Sequence, residues 1–438
     1  MVMSTRRPLA DFLDRIILGD CLDVLRGLPD NSVDLGLTDP PYGLKFMGRD
    51  WDRAVPSVDY WRLVLRKLKP GAFAFVMSSP RLDCLGEMSR RLAEAGFRID
   101  FSPIFWTFLT GFPKAENIAK AVDRHLGLQP EAVGERGQNG AKFKLTQTLI
   151  DNGGFNDPNR TGFKLTRPTS PQAKALAGSY GGLQLKPAVE LILCAMKPPT
   201  QKSWVRQALE NGKGVTRLDD CRIPFQNEAD LEKANTIQGG KMPQPMDWES
   251  EAGKVKHPVN QRGRFPADLL VSNAVLNDFS RYFSLDAWWQ GLVSERLKEL
   301  PPEVQGTFPF LVVPKASQRE RNLGLENLPE VVKSNLPLRD GSGDYVRNEA
   351  GDGSLSTRGT KTRNTHPTVK PVKLMAYLVT LGSRPGDVVL DPFLGSGTTA
   401  MACKMLGRHY IGIELESEYC RIAKWRVAAT LGPARALA

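Results

Sequence analysis

Thr38-Asp39-Pro40-Pro41-Tyr42-Gly43 is the stretch of this sequence from which the fold can be worked out. It follows Val33-Asp34-Leu35-Gly36-Leu37, a short apolar run of the kind that forms a buried strand. Because proline lacks a backbone N–H and has a fixed φ, the two prolines must end that strand and stiffen the turn after it. Open α/β sheets bind ligands at such turns, at the carboxyl ends of their strands. An ordinary Asp-Pro surface turn is the alternative.

Strand and helix signals alternate on both sides of this stretch and again near the C-terminus, which is typical of a parallel, doubly wound sheet. We therefore predict an α/β fold with a Rossmann-like sheet that both ends of the chain complete. The predicted strands are Ile16–Leu18, Val33–Leu37, Ala72–Met77, Phe97–Trp106, Val189–Met196, Val388–Asp391 and Tyr410–Glu414. One predicted helix begins at about Cys21. The other predicted helices are Tyr60–Leu68, Arg81–Ala95, Ala115–Leu126, Pro371–Leu381, Thr398–Leu406 and Glu418–Ala429.

The middle of the chain lacks this regularity and sets the predicted domain boundaries. Residues 1–110 and 365–438 would form the two halves of the sheet domain, and 185–199 a strand that returns to it. Residues 111–184 are predicted to be an irregular insertion or loop, because much of this region is rich in Gly, Asn, Pro, Ser and Lys. Residues 200–364 have mixed signals and are predicted to be an inserted lobe.

Composition narrows the class of protein. The chain has 438 residues, enough for two or three domains at ~100–200 residues each. Its 59 Lys and Arg exceed its 48 Asp and Glu, and the net charge of +11 favours a polyanionic partner. Without a membrane-length apolar run or a signal peptide's apolar core, the sequence predicts a cytoplasmic protein. Six scattered cysteines and four histidines predict buried thiols rather than disulfides or a metal site.

A second motif lies near the C-terminus. The predicted strand Val388–Asp391 runs into Gly395-x-Gly397-x-x-Ala400, which matches the glycine-rich turn of nucleoside-binding sheets. The glycines allow backbone to approach a ligand, and the following helix presents free N–H groups to it. Glu414 ends the next predicted strand, where a carboxylate can accept hydrogen bonds from both ribose hydroxyls. We therefore predict a nucleoside cofactor site.

The motifs together resemble the β-type DNA amino-methyltransferases that use S-adenosylmethionine. Asp39-Pro40-Pro41-Tyr42 is similar to the catalytic tetrapeptide of that family, and Asp391-Pro392-Phe393-x-Gly395-Ser396-Gly397-Thr398-Thr399 to its cofactor motif. His366-Pro367-Thr368-x-Lys370-Pro371 resembles the segment before that motif. A catalytic motif that comes first and a cofactor motif that comes last resemble the β-type circular permutation. The resemblance covers both ends and Lys186–Lys197 well, and the middle poorly.

The resemblance implies roles for the catalytic tetrapeptide. The Asp39 carboxylate and the Pro40 carbonyl would accept the two protons of an adenine amino group, which directs the nitrogen lone pair toward the methyl donor. Pro41 belongs to the same tetrapeptide, and Tyr42 would stack on a base turned out of the duplex. A packed turn aromatic is the alternative for Tyr42. Glu190 is a candidate support for the base pocket.

The resemblance also implies a cofactor site. Asp20, with Cys21 beside it, resembles the residue that accepts a hydrogen bond from the cofactor's adenine, although Asp20 fits a helix N-cap equally well. Thr368 and Lys370 would lie near the methionine end of the cofactor, and His366 is either a contact or a turn residue. The other predicted cofactor-binding residues are Asp391, Pro392, Phe393, Gly395, Ser396, Gly397, Thr398 and Glu414.

The target base and the partner follow from the same resemblance. An acid at the first tetrapeptide position resembles adenine-N6 enzymes more than cytosine-N4 enzymes, so adenine in double-stranded DNA is the predicted target. The alternatives are cytosine N4, an RNA or a protein amide as substrate, and a catalytically silent DNA-binding regulatory module. By analogy we expect a homodimer, a place in a restriction-modification system, and a nucleoid-associated location in a bacterial or phage-infected cell.

Target recognition is assigned to the inserted lobe 200–364, whose basic and amide side chains are of the types that read purine edges and grip phosphates. Many such charges only solvate a surface, which is the alternative. Trp288 and Trp289 are predicted to be core or interface anchors rather than base stackers. The candidate DNA contacts are Arg262, Arg264, Lys315, Arg319 and Arg321.

Overall fold

The computed structural model describes residues 7–44, 52–108, 115–128, 131–136, 163–183, 185, 188–237, 259–272, 276–297, 318–337 and 357–430. The chain divides into two compact units. The first comprises Met1–Leu109, Val189–Pro329 and Arg363–Ala438, and the second comprises Thr110–Ala188 and Glu330–Thr362. Both motif regions singled out from the sequence lie in the first unit.

The described elements are twelve strands and twelve α-helices. The strands are β1 (Arg15–Leu18), β2 (Val33–Thr38), β3 (Leu68–Ser78), β4 (Ile104–Thr107), β5 (Glu131–Arg136), β6 (Phe163–Arg167), β7 (Val189–Met196), β8 (Leu269–Val271), β9 (Val331–Pro337), β10 (Thr357–Thr362), β11 (Val388–Asp391) and β12 (His409–Glu414). The helices are α1 (Cys21–Gly27), α2 (Val58–Lys67), α3 (Leu82–Ala95), α4 (Ile118–His125), α5 (Pro171–Ala175), α6 (Trp204–Asn211), α7 (Glu228–Ile237), α8 (Leu285–Leu297), α9 (Gln318–Asn322), α10 (Val372–Gly382), α11 (Thr398–Met405) and α12 (Ser417–Ala428).

The first unit is built on one eight-stranded sheet with the order β1-β12-β11-β2-β3-β7-β4-β8. The α/β class and the joining of both chain ends in one sheet confirm the predicted fold class. The prediction of a wholly parallel sheet is wrong at β7, which runs antiparallel to β3 and β4. The reason is that β4 ends at the carboxyl edge of the sheet and β7 begins at that same edge, so β7 must run back.

The core lies on both faces of this sheet, and β3 shows why. Phe73, Phe75 and Met77 point to the face covered by α10 and α11. The alternate residues Ala74 and Val76 point to the face covered by α2 and α3. This alternation is the period of two that a strand imposes on its side chains. A strand buried on both faces reads as a continuous apolar run, which is why β3 could be predicted from sequence.

Two strands differ from their predicted form. Strand signals cover Phe97–Trp106, but only Ile104–Thr107 forms a strand, since Pro103 cannot donate a backbone hydrogen bond. The apolar piece ending at Val271 is β8, which pairs in parallel with β4 and completes the sheet. The segment 200–364 therefore contributes to both units: residues 200–329 belong to the unit of the sheet and 330–362 to the other. The recognition role of this segment stays a prediction.

Trp288 and Trp289 are buried on α8, as predicted for core anchors. The Trp288 ring packs edge-on against Tyr377 of α10, with 5.0 Å between ring centroids. Its indole N–H donates to the backbone oxygen of Asp220 at 3.0 Å, so this buried donor is not left without a hydrogen-bond partner. Both tryptophans thus fasten α8 to the helical layer over the sheet.

The second unit contains two antiparallel strand pairs, β5–β6 and β9–β10, and the short helices α4 and α5. Asp123 of α4 holds the start of α5, because its Oδ1 accepts hydrogen bonds from the Ser170 hydroxyl at 2.6 Å and backbone N–H at 3.0 Å. The part of 111–184 that the structure describes therefore includes regular elements.

Three general features bear on the class of protein. None of the described helices is long and apolar enough to cross a membrane. The six cysteines are free thiols. Among the described residues, no group of three or more His, Cys, Asp or Glu side chains is arranged to hold a metal ion.

Candidate active site

Four neighbouring strands bring the predicted site residues to one edge of the sheet. Asp20 follows β1, Asp39 follows β2, Asp391 ends β11 and Glu414 ends β12. The four strands are adjacent and parallel, so their carboxyl ends meet at the same edge. They border a cavity of about 270 Å³. Its lining includes every residue predicted to bind the cofactor except Gly397, together with Asp39 and Pro41.

The glycine-rich turn forms one wall of the cavity, and two of its positions require glycine. Gly395 has φ +56°, and a Cβ there would lie 2.7 Å from His366 Nε2. Gly397 has φ +88°, and its Cβ would lie 2.9 Å from the Cβ of Ala423 in α12. Left-handed backbone and close approach both exclude a side chain. Gly397 thus shapes the turn from beneath, while Gly395 lines the cavity.

Asp391 connects the two halves of the site. Its Oδ1 accepts a hydrogen bond from the Thr38 hydroxyl at 2.8 Å, and its Oδ2 accepts one from the Thr399 hydroxyl at 2.5 Å. Burial raises the pKa of Asp391 to about 6. The sequence predicts Asp391 as a cofactor ligand; it does line the cavity, but its carboxyl oxygens also tie the end of β2 to the glycine-rich turn.

Glu414 lies opposite the turn with both carboxyl oxygens bonded to backbone. Oε2 accepts from Gly395 N–H at 2.8 Å, and Oε1 accepts from Glu416 N–H at 2.8 Å. Burial raises the pKa of Glu414 to about 7. Because each carboxylate oxygen has a second lone pair, the group can still accept hydrogen bonds from a ligand in the cavity.

Asp20 and Cys21 form the wall beneath β1. Asp20 is the N-cap of α1, since its Oδ1 accepts from Leu22 N–H at 2.7 Å. It also lines the cavity, so the structure is compatible with both roles considered for this residue. Burial raises the pKa of the neighbouring Cys21 to about 12, with a further contribution from Asp20. Cys21 is therefore a neutral thiol at physiological pH.

The tetrapeptide turn is held by hydrogen bonds at both ends. The Tyr42 hydroxyl donates to Asp39 Oδ1 at 2.5 Å. Asp52 Oδ1 accepts from Tyr42 N–H at 2.7 Å and from Gly43 N–H at 2.9 Å. Sequence reasoning missed Asp52, because an aspartate in a polar loop carries no local signal of what it will bind. Asp52 thus fixes the backbone of the turn through a side chain that does not line the cavity.

Lys370 is the central charge of the site. Its Nζ lies 2.8 Å from Asp39 Oδ2 and 3.1 Å from Glu190 Oε2. Both acids therefore form ion pairs with Lys370, and each of them raises the pKa of its amino group. Lys370 Nζ also lies 3.5 Å from the Tyr42 hydroxyl. The sequence predicts Lys370 near the cofactor's methionine end; it lines the cavity, but its amino group contacts Asp39 of the tetrapeptide turn.

Burial and charge act against each other in this cluster. Burial raises the pKa of Asp39, and Lys370 counteracts this while the negative charge of Glu190 reinforces it. Burial alone would lower the pKa of Lys370, but Asp39 and Glu190 outweigh it and raise that pKa above its ordinary value. The pKa of the Tyr42 hydroxyl is raised by burial and by both acids. Lys370 is therefore a permanent cation between two acids.

His366 and Thr368 follow each other along the cavity wall. His366 packs edge-on against Tyr419 of α12, with ring centroids 4.6 Å apart. Its Nδ1 accepts from Thr368 N–H at 3.3 Å. Both residues line the cavity, as does Tyr419, which the sequence did not point to. Whether His366 contacts a ligand stays a prediction.

Arg426 of α12 is a second residue that the sequence did not point to. It is fully buried, and its Nη1 donates to the backbone oxygen of Ser396 at 2.6 Å and to the Thr398 hydroxyl at 3.2 Å. Burial lowers its pKa to about 10. Its position on the inner face of an amphipathic helix is a signal that could have identified Arg426 from the sequence, because charged residues are rarely buried without a partner.

The candidate DNA contacts differ in their surroundings. Arg264 is nearly buried, with its Nη2 2.5 Å from Asp230 Oδ1 and its guanidinium over the Tyr282 ring. These contacts make it a structural residue rather than a free surface charge. Arg262 is exposed beside Asp220, while Arg321 is half-buried and donates to the His366 backbone oxygen at 2.7 Å. Lys315 and the side chain of Arg319 lie outside the described residues.

A family model described as DNA methylase, N6_N4_Mtase, matches residues 33–425 of the chain. The sequence is also similar to two Type II methyltransferases. It is 46% identical to M2.DpnII of Streptococcus pneumoniae over 77 residues, which are 18% of this chain and 29% of that protein. It is 44% identical to M2.LlaDCHI of Lactococcus lactis subsp. cremoris over 82 residues, which are 18% of this chain and 30% of that protein. The chain thus spans under a third of the length of these relatives.

Two solved structures are matched over most of their length, at low identity and a low TM-score. The complex of M1.HpyAVI with SAM is 15% identical, has a TM-score of 0.37, and is matched over 94% of this chain and 98% of that one. The cytosine-N4-specific PvuII DNA methyltransferase is 14% identical, has a TM-score of 0.38, and is matched over 94% of this chain and 85% of that one.

Proposed function

Because the chain belongs to the DNA methylase family that matches its residues 33–425, we propose that it transfers a methyl group from S-adenosylmethionine to the N6 amino group of a flipped adenine in double-stranded DNA. One observation carries this proposal. The tetrapeptide turn at Asp39 and the glycine-rich turn at Gly395 border the same cavity, although they lie far apart in the sequence. A methyl donor and an amino acceptor could therefore meet there.

The residues around the cavity fit S-adenosylmethionine. Gly395 lines the cavity without a side chain of its own, so a ligand can approach its backbone closely. Glu414 has acceptor capacity for the ribose hydroxyls, and Asp20 has the same for the adenine amino group. The cavity walls also include apolar side chains such as Phe393 and Ile413, which suit a nucleoside ring. When bound, S-adenosylmethionine supplies an electrophilic methyl group.

The catalytic turn would activate the amino group of the base. That nitrogen is a poor nucleophile because its lone pair is delocalised into the ring. Asp39 and the Pro40 carbonyl can each accept one of its protons, which directs the lone pair away from the ring. Tyr42, on the same turn, would stack on the base. Because burial raises the pKa of Asp39, this carboxylate is a stronger proton acceptor than an exposed aspartate.

Lys370 and Glu190 would tune that acceptor. The ammonium group of Lys370 favours the ionised form of Asp39, and Glu190 offsets part of this effect. Asp39 is thus ionised enough to accept a hydrogen bond and basic enough to take up the proton that the methylated amine releases.

Adenine N6 is proposed over cytosine N4 on the acid at the first position of the tetrapeptide. Cytosine N4 is the second candidate, because its exocyclic amine presents the same geometry and the family includes both activities. Double-stranded DNA as partner is supported by the net charge of +11. The homodimer, the restriction-modification role and the nucleoid location stay predictions.

The test is the identity of the modified base. Genomic DNA from a methylation-deficient host that expresses the chain would be digested to nucleosides and analysed by mass spectrometry. We expect N6-methyladenine in the strain with the wild-type chain and none in a strain that expresses Asp39→Ala. N4-methylcytosine in its place would transfer the proposal to the second candidate, and unmodified DNA would overturn it. Single-molecule sequencing of the same DNA would give the recognised sequence.

A further inference from the structure

Three consecutive residues at the end of α9, 320–322, bond to the chain segment 363–372 that carries His366 and Lys370. We propose that α9 is a positioning element of the active site, which sets where His366 and Lys370 stand relative to Gly395 and Asp39. The inference rests on the proposed function. None of the sequence motifs includes these residues, and of the three only Arg321 is a candidate DNA contact.

Asn322 and Asn364 interlock through their side-chain amides. Asn322 Oδ1 accepts from the backbone N–H groups of Arg363 and Asn364, both at 3.1 Å. Asn364 Nδ2 donates to the Arg321 backbone oxygen at 2.8 Å, and its Oδ1 accepts from His366 N–H at 3.0 Å. Asn364 is fully buried, so water could not satisfy its polar groups if these hydrogen bonds were lost. The entrance to the segment is therefore fixed by α9.

Arg321 fixes the next position. Its Nη2 donates to the His366 backbone oxygen at 2.7 Å, and burial lowers the pKa of its guanidinium. The His366 ring in turn stands against Gly395, where an added Cβ would lie 2.7 Å from Nε2. A shift of Arg321 would therefore move the imidazole relative to the glycine-rich turn. This contact gives Arg321 a role different from the predicted DNA contact.

Hydrogen bonds link Glu320 to both chain segments that line the cavity, directly to the Lys370 segment and through Arg426 to the glycine-rich turn. Its Oε1 accepts from the N–H of Val372, which begins α10 two residues after Lys370, at 2.7 Å. Its backbone oxygen accepts from Arg426 Nη2 at 3.4 Å, and Arg426 Nη1 donates to the Ser396 backbone oxygen at 2.6 Å. The carboxylate and backbone of one residue thus connect the Lys370 segment to the glycine-rich turn.

The turn after α9 is docked on α12 without touching the cavity. Leu325 is fully buried in a small cluster with Tyr419 and Ile422. Gly324 has φ +72°, and a Cβ there would lie 2.6 Å from the Cβ of Ala429 and 2.7 Å from the Trp425 backbone oxygen. This close approach lets a substitution displace α9 while every group at the cavity keeps its chemistry.

Gly324→Ala, with Gly386→Ala as its matched control, tests the proposal. Gly386 also has a left-handed φ, +83°, but an added Cβ there meets nothing within 4 Å. Both variants incur the same backbone strain, and only Gly324→Ala collides with α12. We expect Gly324→Ala to weaken S-adenosylmethionine binding in calorimetry and to slow methyl transfer, each about tenfold or more. Gly386→Ala should stay within about twofold of wild type. Equal values for the two folded variants would overturn the proposal.

A second pair keeps the test independent of Gly324. Asn322→Leu removes the acceptor for two backbone N–H groups, whereas Asn322→Asp retains it. We expect amide hydrogen exchange of residues 363–366 to accelerate in Asn322→Leu and to return toward wild type in Asn322→Asp, with cofactor affinity following the same order. Unchanged exchange and affinity in Asn322→Leu, or no recovery in Asn322→Asp, would refute positioning by α9.

The exchange measurement also separates the two proposals. It needs neither cofactor nor DNA, so it reports on α9 even if the wild-type chain binds no S-adenosylmethionine. That last result would count against the proposed function. Wild-type binding with unaltered exchange in Asn322→Leu would count only against α9.

Discussion

Strand β2 carries one aspartate near its amino end and is followed by another at its carboxyl end, and their surroundings are opposite. Asp34 is buried with Lys213 Nζ at 2.7 Å, Lys69 Nζ at 2.8 Å and the Val388 N–H at 3.0 Å. Burial tends to raise its pKa, but these donors outweigh burial and hold that pKa below its ordinary value. Among the residues that the structure describes, Asp39 shares one cation, Lys370, with Glu190, and burial holds its pKa above the ordinary value.

Under the proposed function, the difference separates a structural carboxylate from a catalytic one. The hydrogen-bond donors and cations around Asp34 stabilise its ionised form, so Asp34 does not readily take up a proton. Its negative charge is compensated by groups of the fold itself. Asp39 is compensated only in part, which leaves it ready to accept protons from a substrate amine. The surroundings, rather than the residue type, therefore set the function of each aspartate.

The largest expected effect is on catalysis at Asp39. Asp39→Ala should lower the rate of methyl transfer by roughly 10²- to 10⁴-fold, because the acceptor for the amino proton is lost. Affinity for S-adenosylmethionine should stay within a few-fold of wild type, since the glycine-rich turn and Glu414 are untouched. Single-turnover transfer of labelled methyl groups and calorimetry measure the two quantities. Turnover at the wild-type rate would remove Asp39 from the mechanism.

The same substitution at Asp34 should produce the reverse pattern. Asp34→Ala leaves Lys213 buried with one acid fewer, and removal of one partner of a buried ion pair costs about 3–5 kcal/mol of unfolding free energy. The transfer rate at a temperature where the variant is folded should change little. Chemical denaturation measures the first quantity. If Asp34→Ala lost activity while its stability was unchanged, the contrast between the two aspartates would fail.

The lowered pKa of Asp34 also predicts how the free energy of unfolding changes with pH. The pKa of Asp34 is lower in the folded protein than in the unfolded chain. Its contribution to the free energy of unfolding is therefore present above its unfolded pKa and is lost as pH falls through the lower, folded pKa. Wild-type unfolding free energy should therefore decline on acidification more steeply than that of Asp34→Ala.

The smallest expected effect concerns Glu414, an acid that is neither saturated nor catalytic. Its folded pKa of about 7 lies above the ordinary 4.5, so its contribution to stability is present below the ordinary value and is lost as pH rises through about 7. The ionised form is the better acceptor for ribose hydroxyls. Affinity for S-adenosylmethionine should therefore rise about five- to tenfold between about pH 6 and pH 8.

Glu414→Gln is the control for this pH effect. The amide cannot ionise, so its affinity should be lower than that of wild type at the upper pH and flat across the range. Calorimetry in buffers of equal ionic strength measures both proteins. A wild-type affinity that does not change with pH would contradict the ribose assignment.

The sequence predicted those parts of the site that are encoded locally. Two prolines end β2, and the glycines of the second motif must turn beside a ligand, so the positions of Asp39 and Gly395 follow from their own neighbours in the chain. The α/β class followed from alternating apolar and amphipathic segments. Each of these features depends on residues that are close together in sequence.

The parts that escaped prediction depend on residues brought together by folding. The pairing of Lys370 with Asp39, and of Arg426 with Ser396, requires knowledge of which strands are adjacent. The reversed direction of β7 follows from the edge at which the chain returns, which apolar periodicity does not record. No local pattern distinguishes Asp34 from Asp39 by charge compensation, because their partners come from other segments.

The bond between Thr38 and Asp391 has a consequence for the timing of synthesis. It joins residues 353 positions apart, and β11 and β12 stand between β1 and β2 in the sheet. At ~5–20 residues per second, the ribosome needs about 20–70 s to reach Asp391 after making Thr38. Throughout that interval β1 lacks its neighbour β12 and β2 lacks its neighbour β11, so β2 can pair only with β3. The proposed catalytic centre can therefore assemble only after the ribosome has passed Asp391, and a product truncated before that residue would lack the glycine-rich turn.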